Sequence, residues 1–159
     1  MIVAFIGFGE AGLAIAESLG QSAVATLSLR AFDIKLADEN DGMAETLLAR
    51  MSDAGVTPCD TAQGAVSGAG IVISVVTADQ AANAAGSAAR HLAKDALYLD
   101  MNSCAPTTKQ MAASSVERAG ATYVDVAVMA PIQPRGHETP MLAAAANPDR
   151  VAATLAAAG

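Results

Sequence analysis

Met1-Ile2-Val3-Ala4-Phe5-Ile6-Gly7-Phe8-Gly9-Glu10-Ala11-Gly12 opens the chain, and its reading decides the fold. The run before Gly7 is short and apolar, as in a buried strand. Gly7, Gly9 and Gly12 complete G-x-G-x-x-G. Leu13, Ala14, Ile15, Ala16 and Leu19 then continue as a helix, with Gly20 as its stop. Strand, glycine turn and helix in this order begin a dinucleotide-binding βαβ unit. Gly7 allows the tight turn, Gly9 leaves room for a pyrophosphate at the backbone, and Gly12 lets the helix pack close to the strand. Free amides and the positive end of the helix dipole hold the anion, and the Glu10 side chain is expected to point away from it.

Residues 25–32 read as a second strand, ending at Asp33. Asp33 lies about twenty residues beyond Gly12, where a carboxylate accepts the adenosine ribose hydroxyls. A glycine turn and a solvated aspartate are each common; the ordered strand–turn–helix–strand–acid pattern is what carries the reading. A carboxylate at this place favours NAD, because it repels a 2′-phosphate. Arg30 and Lys35 soften that preference towards NADP, and strand alternation puts Asp33 and Lys35 on one side.

A chain of 159 residues is one domain with room for a core. More than half of its residues are apolar, yet tryptophan is absent and alanine abounds, so the helices should be small-faced and tightly packed. A net charge of −7 without a basic block argues against nucleic acid or an anionic membrane as partner. No stretch has the length to span a bilayer, and the first apolar run lacks the basic flank of a signal peptide. Cys59 and Cys104 read as free thiols in a reducing compartment, with no metal-ligand spacing. The expected location is the cytoplasm.

Strand and helix alternate through the rest. Residues 41–54 form a helix with Met43, Leu47 and Met51 four apart, and residues 56–59 a short strand. Asp60 caps a small helix reaching Val66. Residues 71–76 (IVISVV) are the continuous apolar run of a central parallel strand. Thr77 and Gln80 form a T-x-x-Q capping box ahead of an alanine-rich helix to about His91. Residues 96–100 form a strand, 106–118 a helix with Pro106 in its first turn, and 122–129 a strand. Residues 130–140 hold three prolines and a glycine and form a loop. Residues 141–145 read as a late edge strand, and Asn147-Pro148-Asp149 starts a last helix. The alternation predicts an α/β fold: a Rossmann-type, doubly wound, mostly parallel sheet in three layers. Ligands of such sheets sit beyond the carboxyl ends of the strands. That rule brings residues 7–12, Asp33, 77–79, 100–103 and 129–131 to one cleft.

Three segments, IGFGEAG (6–12), ISVVTAD (73–79) and YLDMNSCAPTTK (98–109), together resemble the β-hydroxyacid dehydrogenases. That group contains 3-hydroxyisobutyrate and 6-phosphogluconate dehydrogenases. The last segment resembles the family's strand-end D-x-(N/S)-(S/T)-x-x-P stretch. The tail VDVAVMAPIQPRGHETPMLAAA (124–145) is similar to a phosphogluconate dehydrogenase-like subgroup. The resemblance covers the whole chain, residues 1–159, as that family's N-terminal NAD(P)-binding Rossmann domain.

By that resemblance the loop of Gly7, Phe8, Gly9, Glu10, Ala11 and Gly12 binds the cofactor through its pyrophosphate, and Asp33 binds the ribose. Val76 and Thr77 line the cofactor's path. Asn102 lies near the nicotinamide and substrate, and Ser103 is a substrate-side hydroxyl. The family's substrate loop reads D-x-x-V-S-G-G; here residues 125–131 read DVAVMAP. The serine and both glycines are gone, and Pro131 has no N–H to offer a carboxylate, which implies a different or bulkier substrate. His137 and Arg135 are substrate-side candidates on the following loop, His137 for catalysis. Cys104 sits at a helix start that would lower a thiol pKa, without a histidine partner. Met129 reads as wall packing.

The family carries its catalytic lysine on a long helix after the Rossmann domain, followed by a helical domain. Neither Lys94 nor Lys109 matches that motif. The resemblance implies the cofactor half of a two-domain, homodimeric, NAD(P)-dependent dehydrogenase for a small hydroxy acid. The helical catalytic domain would lie outside these residues, and the chain alone is expected to bind cofactor with little turnover. The alternatives are a non-catalytic dinucleotide-binding module and a Rossmann protein for S-adenosylmethionine; YLDMNSCAP argues against the latter.

Overall fold

The computed structural model describes residues 1–22, 27–37 and 42–159. Strand β1 (Ile2–Ile6) lies in the middle of the sheet, and its side chains alternate between two cores: Val3 and Phe5 enter one, Ala4 and Ile6 the other. Helix α1 (Glu10–Gln21) follows, then β2 (Ser28–Phe32), α2 (Met43–Asp53), β3 (Val56–Pro58), α3 (Ala62–Val66) and β4 (Ile71–Ser74). The second half runs α4 (Ala81–Ala89), β5 (Leu97–Asp100), α5 (Pro106–Arg118), β6 (Thr122–Val128), β7 (Met141–Ala144) and α6 (Pro148–Ala156). Of the expected second strand and second helix, residues 25–26 and Asp41 lie outside the described residues.

The seven strands are ordered β3-β2-β1-β4-β5-β6-β7. All pairs are parallel except β6 with β7, which is antiparallel. The chain winds outward from β1 to β3, crosses back, and winds the other way from β4. Winding therefore reverses between β1 and β4, which opens a crevice above their carboxyl ends. The two cores give the three layers. Ile15 and Leu19 of α1, Leu47 and Met51 of α2 and Val151 of α6 cover one face. Val66 of α3, Ala85 and Ala88 of α4, and Ala112 and Val116 of α5 cover the other. The alanines have the predicted use: α4 buries Ala81, Ala85, Ala88 and Ala89 and packs closely against α5.

Several local expectations are corrected. The Thr77–Gln80 capping box does not form. Gln80 occupies the cap position of α4 without capping it through its side chain, and its amide nitrogen Nε2 donates to Asp79 Oδ2 at 2.9 Å. The Asp79 carboxyl is lowered from its ordinary value first by the Thr77 hydroxyl, then by Gln80, so these polar side chains serve a turn. Thr61, not Asp60, caps α3, accepting from Gly64 N. Met43 and Met129 are exposed. After β2 the chain enters a short 3-10 turn (Ile34–Ala37), so strand alternation does not relate Asp33 to Lys35.

Residues 130–140 are a strap rather than an open loop. Gly136 N donates to Ile132 O at 2.7 Å, and Thr139 Oγ1 donates to Ile132 O at 3.1 Å. Gly136 (φ +56) lies flat on α1: a Cβ there would stand 2.2 Å from the Ser18 Cβ and 2.7 Å from the Ala14 carbonyl oxygen. The Ala14 carbonyl is helix backbone, and the Ser18 Cβ is fixed to it, so neither can yield. Gly136→Ala is therefore expected to lower stability by about 1–3 kcal/mol. Urea unfolding of the two proteins checks this, and an unchanged midpoint would mean the strap is not seated on α1.

Candidate functional site

Gly7 leaves β1 at φ +86, and a Cβ there would meet the Val75 carbonyl oxygen at 2.5 Å. Only glycine makes this turn. Its amide bonds to Phe32 O at 2.9 Å, extending the β1–β2 ladder past the strands. Gly12 serves close packing: a Cβ on it would stand 3.2 Å from Gly7 O and 3.4 Å from the Val75 side chain. Gly9 differs from both. A Cβ there would meet nothing within 4 Å, and its φ of −77 suits any residue. Nothing inside the protein requires glycine at this position; open space lies over its backbone.

Helix α1 begins beside that space. Its first intrahelical bond runs from Leu13 N to Gly9 O at 3.0 Å. The amides of Glu10, Ala11 and Gly12 are thus the orphan donors of the helix end, and no side chain caps them. Phe8 turns inward instead. Its ring is buried edge-on against Phe5, centroids 5.7 Å apart, and its amide donates to Asp33 Oδ2 at 2.8 Å. The sequence motif counts Phe8 with the anion-binding loop; in the structure its amide is taken by Asp33, and the orphan donors of the helix start at Glu10.

Asp33 has a second bond of this kind, with Oδ1 accepting from Lys35 N at 2.9 Å. The carboxylate therefore staples the glycine turn to the end of β2. Each of its oxygens retains a lone-pair site for a further donor. Asp33 borders a cleft of about 420 Å³, walled by the glycine turn, by Val76 and Thr77 beyond β4, and by Asn83 and Ser87 of α4. On its other side lies a recess of about 390 Å³ of mixed character, lined by Lys35, Thr46 and Arg50 and by Met43 and Leu47. Arg30 is not part of either, since its guanidinium reaches the Ser67 carbonyl.

Three of the five expected segments, 7–12, Asp33 and 77–79, meet in the cleft; 100–103 and 129–131 do not line it. Asn102 joins it indirectly. It is buried, and Oδ1 accepts from Val76 N at 2.7 Å. Its Nδ2 donates to Ser74 Oγ at 3.0 Å and to Asp100 Oδ1 at 2.7 Å, and its backbone amide donates to that same Asp100 oxygen at 3.0 Å. Asn102 is a strut between the tips of β4 and β5. Exposed Ser103 follows it.

Asp100, Tyr123 and Lys109 complete this group, and the sequence motif points to none of them as a cluster. Tyr123 donates to Asp100 Oδ2 at 2.6 Å. Burial first, then this bond, holds its phenol protonated well above the ordinary tyrosine range. Cys104 departs from expectation. Burial, then the Asp100 charge, raises the pKa of its thiol, and the residue lies ahead of α5, which starts at Pro106.

His137 is also relocated. Its Nδ1 lies 2.5 Å from Ser18 Oγ, which in turn donates to Arg135 O at 3.3 Å. Ser18 is about 12 Å along α1 from Glu10. The ring thus belongs to the strap's seat on α1 and does not line the cleft. Among the described residues no three of His, Cys, Asp and Glu gather where a metal ion would fit, and no helix is long and apolar enough to cross a membrane.

Residues 2–146 match the family model described as the NAD binding domain of 6-phosphogluconate dehydrogenase. The chain belongs to that family. Its fold agrees with a conserved hypothetical protein from Sinorhizobium meliloti 1021: 36% identity, TM-score 0.90, covering 100% of this chain and 52% of that one. A conserved protein described as structurally similar to 3-hydroxyacid dehydrogenases matches at 28% identity and TM-score 0.70, over 90% of this chain and 49% of that one. An imine reductase from Myxococcus stipitatus, in complex with NADP+, shares the fold at 20% identity and TM-score 0.74, over 100% of this chain and 52% of that one. The NAD-binding domain thus spans about half the length of these structures. No curated protein matches the chain. The matched family is an NAD-binding one, so this chain is an NAD-binding domain of the kind described for 6-phosphogluconate dehydrogenase.

Asp33 should stabilise the empty domain as well. Asp33→Ala leaves the Phe8 and Lys35 amides without their acceptor, an expected loss of about 1–3 kcal/mol. Chemical unfolding in the absence of any nucleotide measures it; equal stability of the two proteins would show that the staple carries no weight.

Proposed function

We propose that this NAD-binding domain is the cofactor half of a two-domain oxidoreductase that moves hydride between a nicotinamide cofactor and a small hydroxy acid. The observation that carries the reading is the unfilled space over Gly9, bounded by the orphan amides of α1 and by the Asp33 carboxylate. Its length relative to similar structures supports a second domain, which would bring the proton-transfer lysine. The likeness to a protein described as similar to 3-hydroxyacid dehydrogenases supports the substrate class. In full the enzyme would be a homodimer, as its resemblance to the β-hydroxyacid dehydrogenases implies, and its free cysteines suit the cytoplasm.

Each residue then has a physical task. The amides of Glu10, Ala11 and Gly12, with the helix dipole behind them, hold the diphosphate. The Gly9 backbone admits it. Asp33 accepts from the adenosine ribose hydroxyls. Val76 and Thr77 guide the nicotinamide half towards β5, where Asn102 holds the wall in place and Ser103 orients substrate. The bound nicotinamide supplies a hydride donor or acceptor.

Asp33 favours NAD. Lys35 and Arg50 in the recess beyond it favour a second reading, acceptance of a 2′-phosphate and hence NADP.

Calorimetric titration tests both. Gly9→Val is expected to weaken NADH by about tenfold or more, with the protein still folded, because a Cβ at this position meets no protein atom within 4 Å. Unimpaired NADH binding by that variant would refute the cleft assignment. Lys35→Ala combined with Arg50→Ala is expected to weaken NADPH by about tenfold and leave NADH nearly unchanged. Equal effects on the two cofactors would remove the recess from cofactor selection.

A further inference from the structure

Lys109 reaches from α5 back over the carboxyl edge of the sheet. Its Nζ donates to Asp100 O at 2.9 Å and stands 3.2 Å from Asp100 Oδ1 and 2.9 Å from Asp125 Oδ1. An ammonium has three N–H groups, and here each has an acceptor. Its side chain is only 13% exposed. This cation is therefore committed within the protein and is not offered to a ligand.

It does have a continuous line of bonds into the cleft. Lys109 neutralises Asp100, whose carboxylate is 1% exposed. Asp100 Oδ1 holds Asn102 twice, through its backbone amide and its Nδ2. Asn102 Oδ1 then holds the Val76 amide at 2.7 Å, and Val76 walls the cleft. A carboxylate buried this deeply is costly once its cation is gone. Without Lys109 the carboxylate loses its cation and turns towards other donors, which slackens its grip on Asn102.

Strand order says which end of a ligand would notice. Asp33 follows β2 and Val76 follows β4, with β1 between them. Two strand spacings separate those tips, about 10 Å. A dinucleotide laid across the crevice with its adenosine at Asp33 therefore brings its nicotinamide towards Val76 and Asn102.

We propose that Lys109 is a positioning residue for the nicotinamide end of the cofactor, acting through Asp100 and Asn102 on the Val76 amide. The inference rests on the reading of the cleft as the cofactor site. It demands an asymmetry: removal of Lys109 disturbs the nicotinamide end and spares the adenosine end.

The test compares NADH with ADP-ribose, which has the same adenosine and diphosphate but no nicotinamide, in titrations of the purified chain. The sequence has no tryptophan, so enhanced NADH emission reports the bound nicotinamide without interference. Lys109→Met is expected to weaken NADH by about tenfold and reduce its emission enhancement, with ADP-ribose affinity held within about twofold. Lys109→Arg, which returns a cation to the same acceptors, is expected to restore NADH binding. If thermal melting shows that Lys109→Met does not fold, Asp125→Ala replaces it. That carboxylate is 48% exposed and holds one of the three Nζ bonds, so a smaller loss confined to NADH is expected. Equal weakening of both ligands, or of neither, in a folded variant overturns the inference. Failure of the unmodified chain to bind either ligand overturns the cofactor reading, and this inference with it.

Discussion

The turn at Gly7 governs the molecule. Its positive φ lets the chain leave β1 and pass within van der Waals reach of the Val75 carbonyl, on the neighbouring strand's extension. That path sets the start of α1 over the sheet edge, at the place where winding reverses and no crossover helix can cover the strand ends. Close packing at Gly12 keeps the helix there. The exposed amides of its first turn, the Asp33 staple and the cleft beside them are consequences of one backbone conformation that a side chain would forbid.

A second constraint acts at the tips of β4, β5 and β6. Asp100, Asn102, Tyr123 and Lys109 form a buried polar group in which each charge has a partner and each amide of Asn102 is used. Buried polar groups that are fully satisfied impose a single geometry, because any shift leaves a donor or acceptor unpaired. The cleft thus has one wall fixed by backbone sterics and the other by hydrogen bonds. The strap carrying Gly136 and His137 braces α1 from outside, well behind its amino end.

Much of this is legible in the sequence. Apolar runs, glycines and prolines mark nearly every element because they act locally: the IVIS of IVISVV is a buried strand, its last two valines passing beyond it to the cleft, and Pro106 and Asn147 sit where helix starts require them. The glycine motif and Asp33 likewise announce themselves by spacing. What the sequence hides depends on partners distant along the chain. That the Phe8 amide is taken by Asp33, that Lys109 faces Asp100 and Asp125, and that His137 lies against Ser18 follow from strand order and loop path. Thr77 and Gln80 misled for a related reason. Their spacing fits a cap, but Asp79 between them offers a competing acceptor in a tighter turn.

The central claim is that the amides at the start of α1 receive a diphosphate. Amide shift mapping of the ¹⁵N-labelled chain during titration with ADP-ribose tests it most directly. The account predicts the largest displacements at Gly9, Glu10, Ala11 and Gly12, with little change along residues 130–140. Displacements centred on that strap or on helix α5, with the four amides from Gly9 to Gly12 unmoved, would contradict it.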